Sequence, residues 1–201
     1  MAVITLEDSN QNKLGLVNRC LQAIGEAPLP QGTVPSEFPL GSDTQVASSI
    51  VDDTYIEVQN RGWWFNIEKN FELNPDSNGF IAFPETVLRI DSGRYQPYIK
   101  KNGMLYNTYT HEFKFTSSVY LDLIWANSYS DLPSAAYEYI ACRAARKFFQ
   151  KVVGASGEVQ WLQQEEVDSL VNLQRENAQY LDTNLIEPQV SYRWTNPLRG
   201  I

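Results

Sequence analysis

The chain has 201 residues, of which 43% are hydrophobic and 20% charged, an ordinary composition for a globular protein with a sizeable core. Its net charge of −8 argues against specific nucleic-acid binding, which usually needs a basic face. No apolar run reaches the roughly 18 residues that span a bilayer, and the N-terminus lacks the basic and apolar regions of a signal peptide. The sequence therefore predicts a protein with no membrane association.

The first 62 residues predict two amphipathic helices separated by a loop. Leu14, Val17, Leu21 and Ile24 recur at helical spacing, and Gly25 is a natural stop. Residues 27–41 hold four prolines and predict an extended loop. The second helix is expected to begin at Ser42, which with Gln45 predicts a capping box, and to end at Gly62.

From Phe65 to about Trp125 the apolar period changes to two, which predicts about six short strands. The strand segments are FELN, FIAF, VLRID, PYIKKNGMLYN, FKF and SVYLDLIW. Asn102-Gly103 predicts a tight hairpin, because both residues accept the positive φ of a type I′ turn. We expect a small antiparallel sheet or sandwich.

Helical spacing then returns in two further segments. Residues 131–154 predict a third helix with an apolar stripe that ends at Val152. A long fourth helix is predicted over residues 158–181, with Val167 among its core candidates. Residues 186–201, called the arm below, contain two prolines and show no helical period.

The predicted fold class is α+β: a four-helix bundle with an inserted small antiparallel β domain and an extended C-terminal arm. Residues 1–62 and 131–185 would form the bundle domain, residues 63–130 the inserted β domain, and residues 186–201 a docking arm.

The two cysteines, Cys20 and Cys142, both fall within helical patterns. They would be either buried small side chains in a reducing compartment or a disulfide, and the helical setting favours the first. We therefore expect synthesis in a cytoplasm.

Few residues point to catalysis. The single histidine, His111, fits no usual zinc spacing, and phosphate-binding loops and a nucleophile elbow are absent. A glycosidase needs two carboxyl groups facing each other across about 5–10 Å. The β region offers acids for this role, but no spacing pairs them: Glu68, Glu72, Asp91 and Glu112. We predict no catalytic residue, metal or cofactor, and polysaccharide hydrolysis stays an alternative.

Charges of opposite sign follow the last two helices. The third helix carries a basic stripe and the fourth an excess of acids, and the main candidates are Arg143, Arg146, Lys147, Lys151, Glu165 and Glu166. In one interpretation the two stripes attract each other across an antiparallel helix pair. In the other, one or both stripes contact a neighbouring subunit or a different protein.

The arm has an unusual content for an extended segment. A disordered tail is normally poor in aromatic residues, whereas this arm carries Tyr192 and Trp194 together with Pro197 and Leu198. We expect it to dock, either onto its own domain or onto a neighbour.

Residues 62–65, with the sequence GWWF, lie where the second helix gives way to the strands. The rings could line a sugar site, bind a partner or join two parts of the fold. Successive side chains of an extended segment point to opposite sides, so Trp63 and Phe65 would share one side and Trp64 would face the other. This predicts a structural junction in which Gly62 ends the helix and the rings contact both the bundle and the sheet.

Four segments, in this order, resemble the tail tubular protein A family, the head-to-tail adaptors or gatekeepers of short-tailed bacteriophages. They are LVNRCLQAIGEAPL, NRGWWFNIEKNFEL, DLPSAAYEYIACRAARKFFQKVVG and QQEEVDSL. The similarity spans roughly residues 12 to 182, and RGWWFN and IGEAP are its more specific pieces.

The resemblance implies a structural virion protein, made in the host cytoplasm, that forms a twelvefold homo-oligomeric ring between the portal protein and the tail nozzle protein. The ring would extend the DNA ejection channel, and DNA would pass through its lumen without specific binding. The charged stripes would then contact neighbouring subunits or the portal. The alternative is a tail-associated polysaccharide or peptidoglycan hydrolase that uses the β-domain carboxylates.

Overall fold

The structure, a computed structural model, describes residues 6–34, 38–91, 97–154 and 157–185. Its four α-helices are α1 (Leu6–Ala23), α2 (Asp43–Gln59), α3 (Ser134–Val152) and α4 (Glu158–Leu185). Its five strands are β1 (Ile67–Leu73), β2 (Val87–Ile90), β3 (Tyr98–Lys101), β4 (Met104–Asn107) and β5 (Val119–Trp125), and a short 3₁₀ turn, Tyr129–Asp131, precedes α3. The described chain is therefore α+β, with the strands placed between two pairs of helices.

Helix α3 contacts each of the other three helices, and α1 also contacts α2. Its alanines Ala136 and Ala144 are fully buried, which lets neighbouring helices approach closely, while Tyr139 and Phe148 fill the space between them. Burying a side chain of this size contributes roughly 2–3 kcal/mol. Most of the apolar residues that α1, α2, α3 and α4 bury form one cluster, called the helical cluster below. The arrangement of the four helices as a bundle stays a prediction.

The helix ends follow the predicted stop signals. Gly25, Gly62 and Gly154, each within three residues of a helix end, all have positive φ. At the start of α2, Ser42 Oγ accepts the N–H of Gln45 at 3.2 Å, as predicted. The second half of the predicted capping box is wrong, because Gln45 Oε1 accepts the N–H of Gly41 at 2.6 Å. The N–H of Ser42 is already used in a turn, in which it donates to the carbonyl of Pro39.

The strands form two antiparallel sheets, β1-β5-β2 and β3-β4. Asn102 and Gly103 both have positive φ at the turn between β3 and β4, which confirms the predicted hairpin. The strands predicted in FIAF and FKF are wrong: these segments make only isolated bridges, Phe80 with Lys114 and Ala82 with Met104. The first bridge joins the two segments to each other and the second joins FIAF to β4, and neither extends into a ladder.

The strands enclose apolar side chains of their own, called the sheet cluster below: Leu73, Ile81, Phe83, Val87, Leu105, Leu121 and Leu123. Buried apolar residues of the described chain thus gather in two places, one among the helices and one among the strands. This division has the same order as the predicted domains, whose boundaries stay predictions.

Two predicted core residues are exposed. Val152 is 41% and Val167 45% exposed, so their assignment to the core is wrong. Val152 is the last residue of α3, and α4 packs chiefly on α3, which leaves the far side of α4 uncovered. No helix in the described ranges is long and apolar enough to cross a bilayer.

Candidate functional site: the helix–sheet junction and a charged cluster

Residues 63–66 form a tight turn and not the predicted extended segment. The N–H groups of Asn66 and Ile67 both donate to the carbonyl of Trp63, at 3.1 Å. The turn gathers the three rings on the helical cluster, where Trp63 is buried and Trp64 and Phe65 are half-buried. The rings of Trp64 and Phe65 meet edge to face, with centroids 5.1 Å apart. The predicted alternation of the rings is therefore wrong, and a contact of the rings with both the bundle and the sheet stays a prediction.

Asn66 connects the helices to the strands through hydrogen bonds. Its side chain is 3% exposed, and its Nδ2 donates to the carbonyls of Gln59 at 2.9 Å and Trp125 at 2.8 Å. Its Oδ1 accepts the N–H of Trp63 at 2.8 Å. A single buried amide thus links the last residue of α2, the turn and the last residue of β5.

Gln59 and Asn127 join the same two chain segments a second time. Gln59 is fully buried, and its Oε1 accepts the N–H of Asn127 at 2.8 Å. Asn127 Nδ2 in turn donates to the carbonyl of Phe65 at 3.1 Å. We call Gln59, Asn66 and Asn127 the junction amides.

Sequence reasoning did not single out the junction amides. The available signal was their position, since each lies at or beside the end of a helix or strand, where backbone groups lack regular partners. Side chains that pair with such groups keep the end of α2 and the end of β5 in place, because a buried backbone group left unpaired costs about 1–3 kcal/mol.

Gly62 brings β5 against the end of α2. Its φ is +80°, and a Cβ at this position would lie 2.7 Å from Ile124 Cδ1, closer than real Cβ atoms come. Ile124 is fully buried, so its side chain has little room to yield. The glycine was predicted as a helix stop, and the close approach of the sheet is a second reason for its presence.

Five charged side chains form a cluster among α2, α3 and α4, called the charged cluster below: Glu57, Arg143, Arg146, Lys147 and Glu166. Arg143 is at its centre and contacts the carboxylates of both Glu57 and Glu166. Arg146 also contacts Glu166, and Lys147 Nζ lies 2.5 Å from Glu57 Oε2. The cluster therefore ties α4 to α3 and α3 to α2.

The cluster is partly withdrawn from water. The side chains of Arg143 and Glu166 are only 17% and 10% exposed. Burial opposes ionisation of Glu57, but hydrogen bonds from Arg143 and Lys147 outweigh it and lower its pKa to about 2. The pKa of Glu166 is also lowered, because the hydrogen bonds of Arg146 and Arg143 outweigh the effect of burial. Both acids are thus held as carboxylates at neutral pH.

The structure thus brings four of the six predicted charged candidates together: Arg143, Arg146, Lys147 and Glu166. Glu165 instead faces Arg19 of α1, at 3.7 Å. Lys151 is exposed and has no ion pair within the described part of the chain. Glu57, which completes the cluster, was missed because α2 shows no charge stripe. Whether these residues also contact a partner stays a prediction.

Other predicted residues have clear positions. Cys20 and Cys142 are free and buried, as expected, and burial raises the pKa of the Cys20 thiol to about 12. His111 is exposed at a turn, with φ +58°. The arm residues Tyr192, Trp194, Pro197 and Leu198 lie outside the described residues.

The arrangement gives no support to hydrolysis. The β-region acids Glu68, Glu72 and Glu112 are exposed, and Asp91 pairs with Arg89 at 3.5 Å. Among residues 6–34, 38–91, 97–154 and 157–185, no three acidic, histidine or cysteine side chains gather as a metal site would require. What the geometry does show is a set of buried hydrogen bonds that connect the helices to the strands, which is a structural role.

The family model of tail tubular proteins matches residues 14–183 of this chain. The chain therefore belongs to the tail tubular protein family and is a structural component of the phage tail. This confirms the resemblance found in the sequence, at the level of the family. A comparison with curated proteins finds no match.

Proposed function

We propose that the chain is a head-to-tail adaptor, which forms a ring between the portal and the tail nozzle and extends the channel for DNA ejection. The observation that carries this proposal is the match to tail tubular proteins over residues 14–183. The proposed partners are further copies of the chain in a twelvefold ring, the portal protein and the tail nozzle protein.

The junction amides and the charged cluster support this role mechanically. A ring under pressure from packaged DNA must transmit force between its portal side and its tail side without a change in shape. The junction amides hold the strands to α2, and the charged cluster holds α2, α3 and α4 together. These contacts would resist displacement of the strands relative to the helices.

The charge of the chain suits a channel that DNA must leave. Proteins bind DNA phosphates by neutralising them with lysine and arginine, whereas this chain has 24 acids against 16 lysines and arginines. Three cations of the basic stripe are already paired with acids inside the chain. DNA would therefore pass through the lumen without specific binding.

The subunit or portal interface is best tested at Lys151, since changes at Arg143, Arg146 or Lys147 would also damage the charged cluster. Lys151→Glu is expected to reduce incorporation into rings several-fold while the free energy of unfolding stays within about 0.5 kcal/mol, because the side chain is exposed. Lys69→Glu, an equally exposed change on β1, is the matched control. Normal incorporation of the Lys151 variant would contradict the assignment of the basic stripe to the interface.

Electron microscopy of the protein mixed with its purified portal tests the function itself. The expected result is a closed ring of this chain on one face of the portal, coaxial with its channel. If the chain does not bind the portal but does bind the tail nozzle or another tail component, the adaptor proposal is wrong. The chain would then be a tail protein at a different place in the virion.

A further inference from the structure

An open cleft of about 620 Å³ lies where the C-terminal ends of α1 and α3 meet the first turns of α4. Its walls are mainly apolar, with Ile24 just after α1, Phe149 from α3, and Trp161 and Leu162 from α4. Trp161 is 78% exposed at the mouth of the cleft. A tryptophan left in water beside an apolar cleft is typical of an interaction surface, because its ring gains much free energy on burial.

The arm has the chemistry that such a cleft accepts. It carries Tyr192 and Trp194 between two prolines, Pro188 and Pro197. Proline-containing extended segments bind grooves lined by aromatic rings, since their conformation is partly fixed before binding. The arm also contains Arg193 and Arg199 against a single acid, Glu187, whereas the cleft is lined by Glu158 and followed along α4 by further acids. The two surfaces are therefore complementary in both apolar content and charge.

The arm of the same chain reaches this cleft with its aromatic residues only when it is almost fully extended. From Trp161 to Leu185, the last residue of α4, the helix rises by about 36 Å, at roughly 1.5 Å per residue. The nine residues from Leu185 to Trp194 span at most about 32 Å when fully extended. Tyr192 falls shorter still. The side chains would have to bridge the remaining gap of about 4 Å, so the arm fits the cleft of a second copy with less constraint than the cleft of its own chain.

We propose that the cleft receives the arm of a second copy, with Tyr192 or Trp194 packed against Trp161. This inference rests on the proposed function, because the ring places copies side by side. Each subunit would then hold its neighbour through an exchanged arm, and the exchange closes on itself only when the ring is complete.

A photo-crosslinking experiment on the full chain tests this directly. Trp161 is replaced by p-benzoylphenylalanine in chains made with ¹⁴N, which are mixed with ¹⁵N chains and assembled on the portal. The expected product joins position 161 of one copy to residues 190–199 of another, and mass spectrometry identifies it by its mixed isotopes. The same probe at Gln174, an exposed residue further along α4, is the control and should give little of this product.

The outcomes separate the two proposals. Rings that form without a crosslink from position 161 to an arm would overturn the exchange and leave the adaptor function standing. Crosslinks only within one chain, or only to the portal, would likewise overturn it. If no rings form and no arm is captured, both proposals fail.

Substitutions give a second measurement with the same chains. Trp161→Ala and Trp194→Ala should each weaken ring formation about tenfold, and the double variant should be no weaker than either single variant, since both remove one contact. Val171→Ala, at an exposed apolar residue of α4 outside the cleft, should assemble normally. Additive losses in the double variant would show that Trp161 and Trp194 act at separate places.

Discussion

Gly62 shows how one residue serves two elements. It ends α2 with a positive φ, and the absence of a side chain lets Ile124 of β5 pack against its Cα. Gly62→Ala is therefore expected to lower the free energy of unfolding by about 2–4 kcal/mol, through backbone strain together with a clash against a buried side chain. Urea denaturation followed by tryptophan fluorescence measures the loss.

Gly103→Ala is the matched control for this prediction. Gly103 also has a positive φ, +73°, but no atom lies within 4 Å of the Cβ that alanine would add. The control should cost only the backbone strain, about 1 kcal/mol. Equal losses at the two positions would show that the contact with Ile124 is unimportant.

Asn66 offers a second test at the residue scale. Asn66→Ala removes three hydrogen bonds and leaves the N–H of Trp63 and the carbonyls of Gln59 and Trp125 without this partner. We expect a loss of about 2–4 kcal/mol in the free energy of unfolding, because each buried group left unpaired costs about 1–3 kcal/mol. Asn172→Ala, at an exposed position of α4, should change it by less than about 0.5 kcal/mol. A small effect of Asn66→Ala would indicate that the aromatic rings, and not Asn66, hold the helices and the strands together.

At the scale of elements, the charged cluster makes the packing of α2 on α3 depend on pH. The pKa of Glu57 is about 2 in the folded protein, against an ordinary value of 4.5. A lowered folded-state pKa gives stability that is fully present above pH 4.5 and is lost as the pH falls towards 2. Because the Glu57 side chain is 40% exposed, solvent screening reduces the gain to about 1–2 kcal/mol.

Glu57→Gln isolates this contribution. The difference in free energy of unfolding between the unchanged protein and the variant should be largest near pH 6 and should shrink steadily between pH 4.5 and 3. Denaturant titrations at several pH values measure it. Glu165→Gln, whose acid is 54% exposed and 3.7 Å from Arg19, is the control and should stay within about 0.5 kcal/mol of the unchanged protein. A pH-independent difference at Glu57 would contradict the assigned ion pairs.

The elements themselves were predictable to different degrees. The helices were predicted well because each repeats one apolar face over many residues, as in Leu14, Val17 and Leu21. The strands were harder, since a segment such as FIAF alternates correctly, with Ile81 and Phe83 buried, but makes only isolated bridges at Phe80 and Ala82. Strand pairing depends on partners distant in sequence, and a local pattern does not specify them.

At the scale of the whole molecule, the arm should serve assembly and not folding. A chain truncated after Leu185 keeps the described helices and strands, so its melting temperature should lie within a few degrees of that of the full chain. It should nevertheless enter rings on the portal far less efficiently. Thermal unfolding followed by circular dichroism, and electron microscopy of the same samples, measure the two effects. Normal assembly of the truncated chain would rule out the arm as an anchor.

Local patterns in the sequence were enough to predict the order of the helices and of most strands, the acidic character and the resemblance to tail tubular proteins, because periodicity, charge and motifs are local properties. Only the tertiary structure showed that residues 63–66 turn, that buried amides make the junction, and that Glu57 completes the charged cluster. The physical reason is distance along the chain. Glu57 and Arg143 are 86 residues apart, and Asn66 and Trp125 are 59 apart. Such partners are chosen by the packing of whole elements, which no local pattern records.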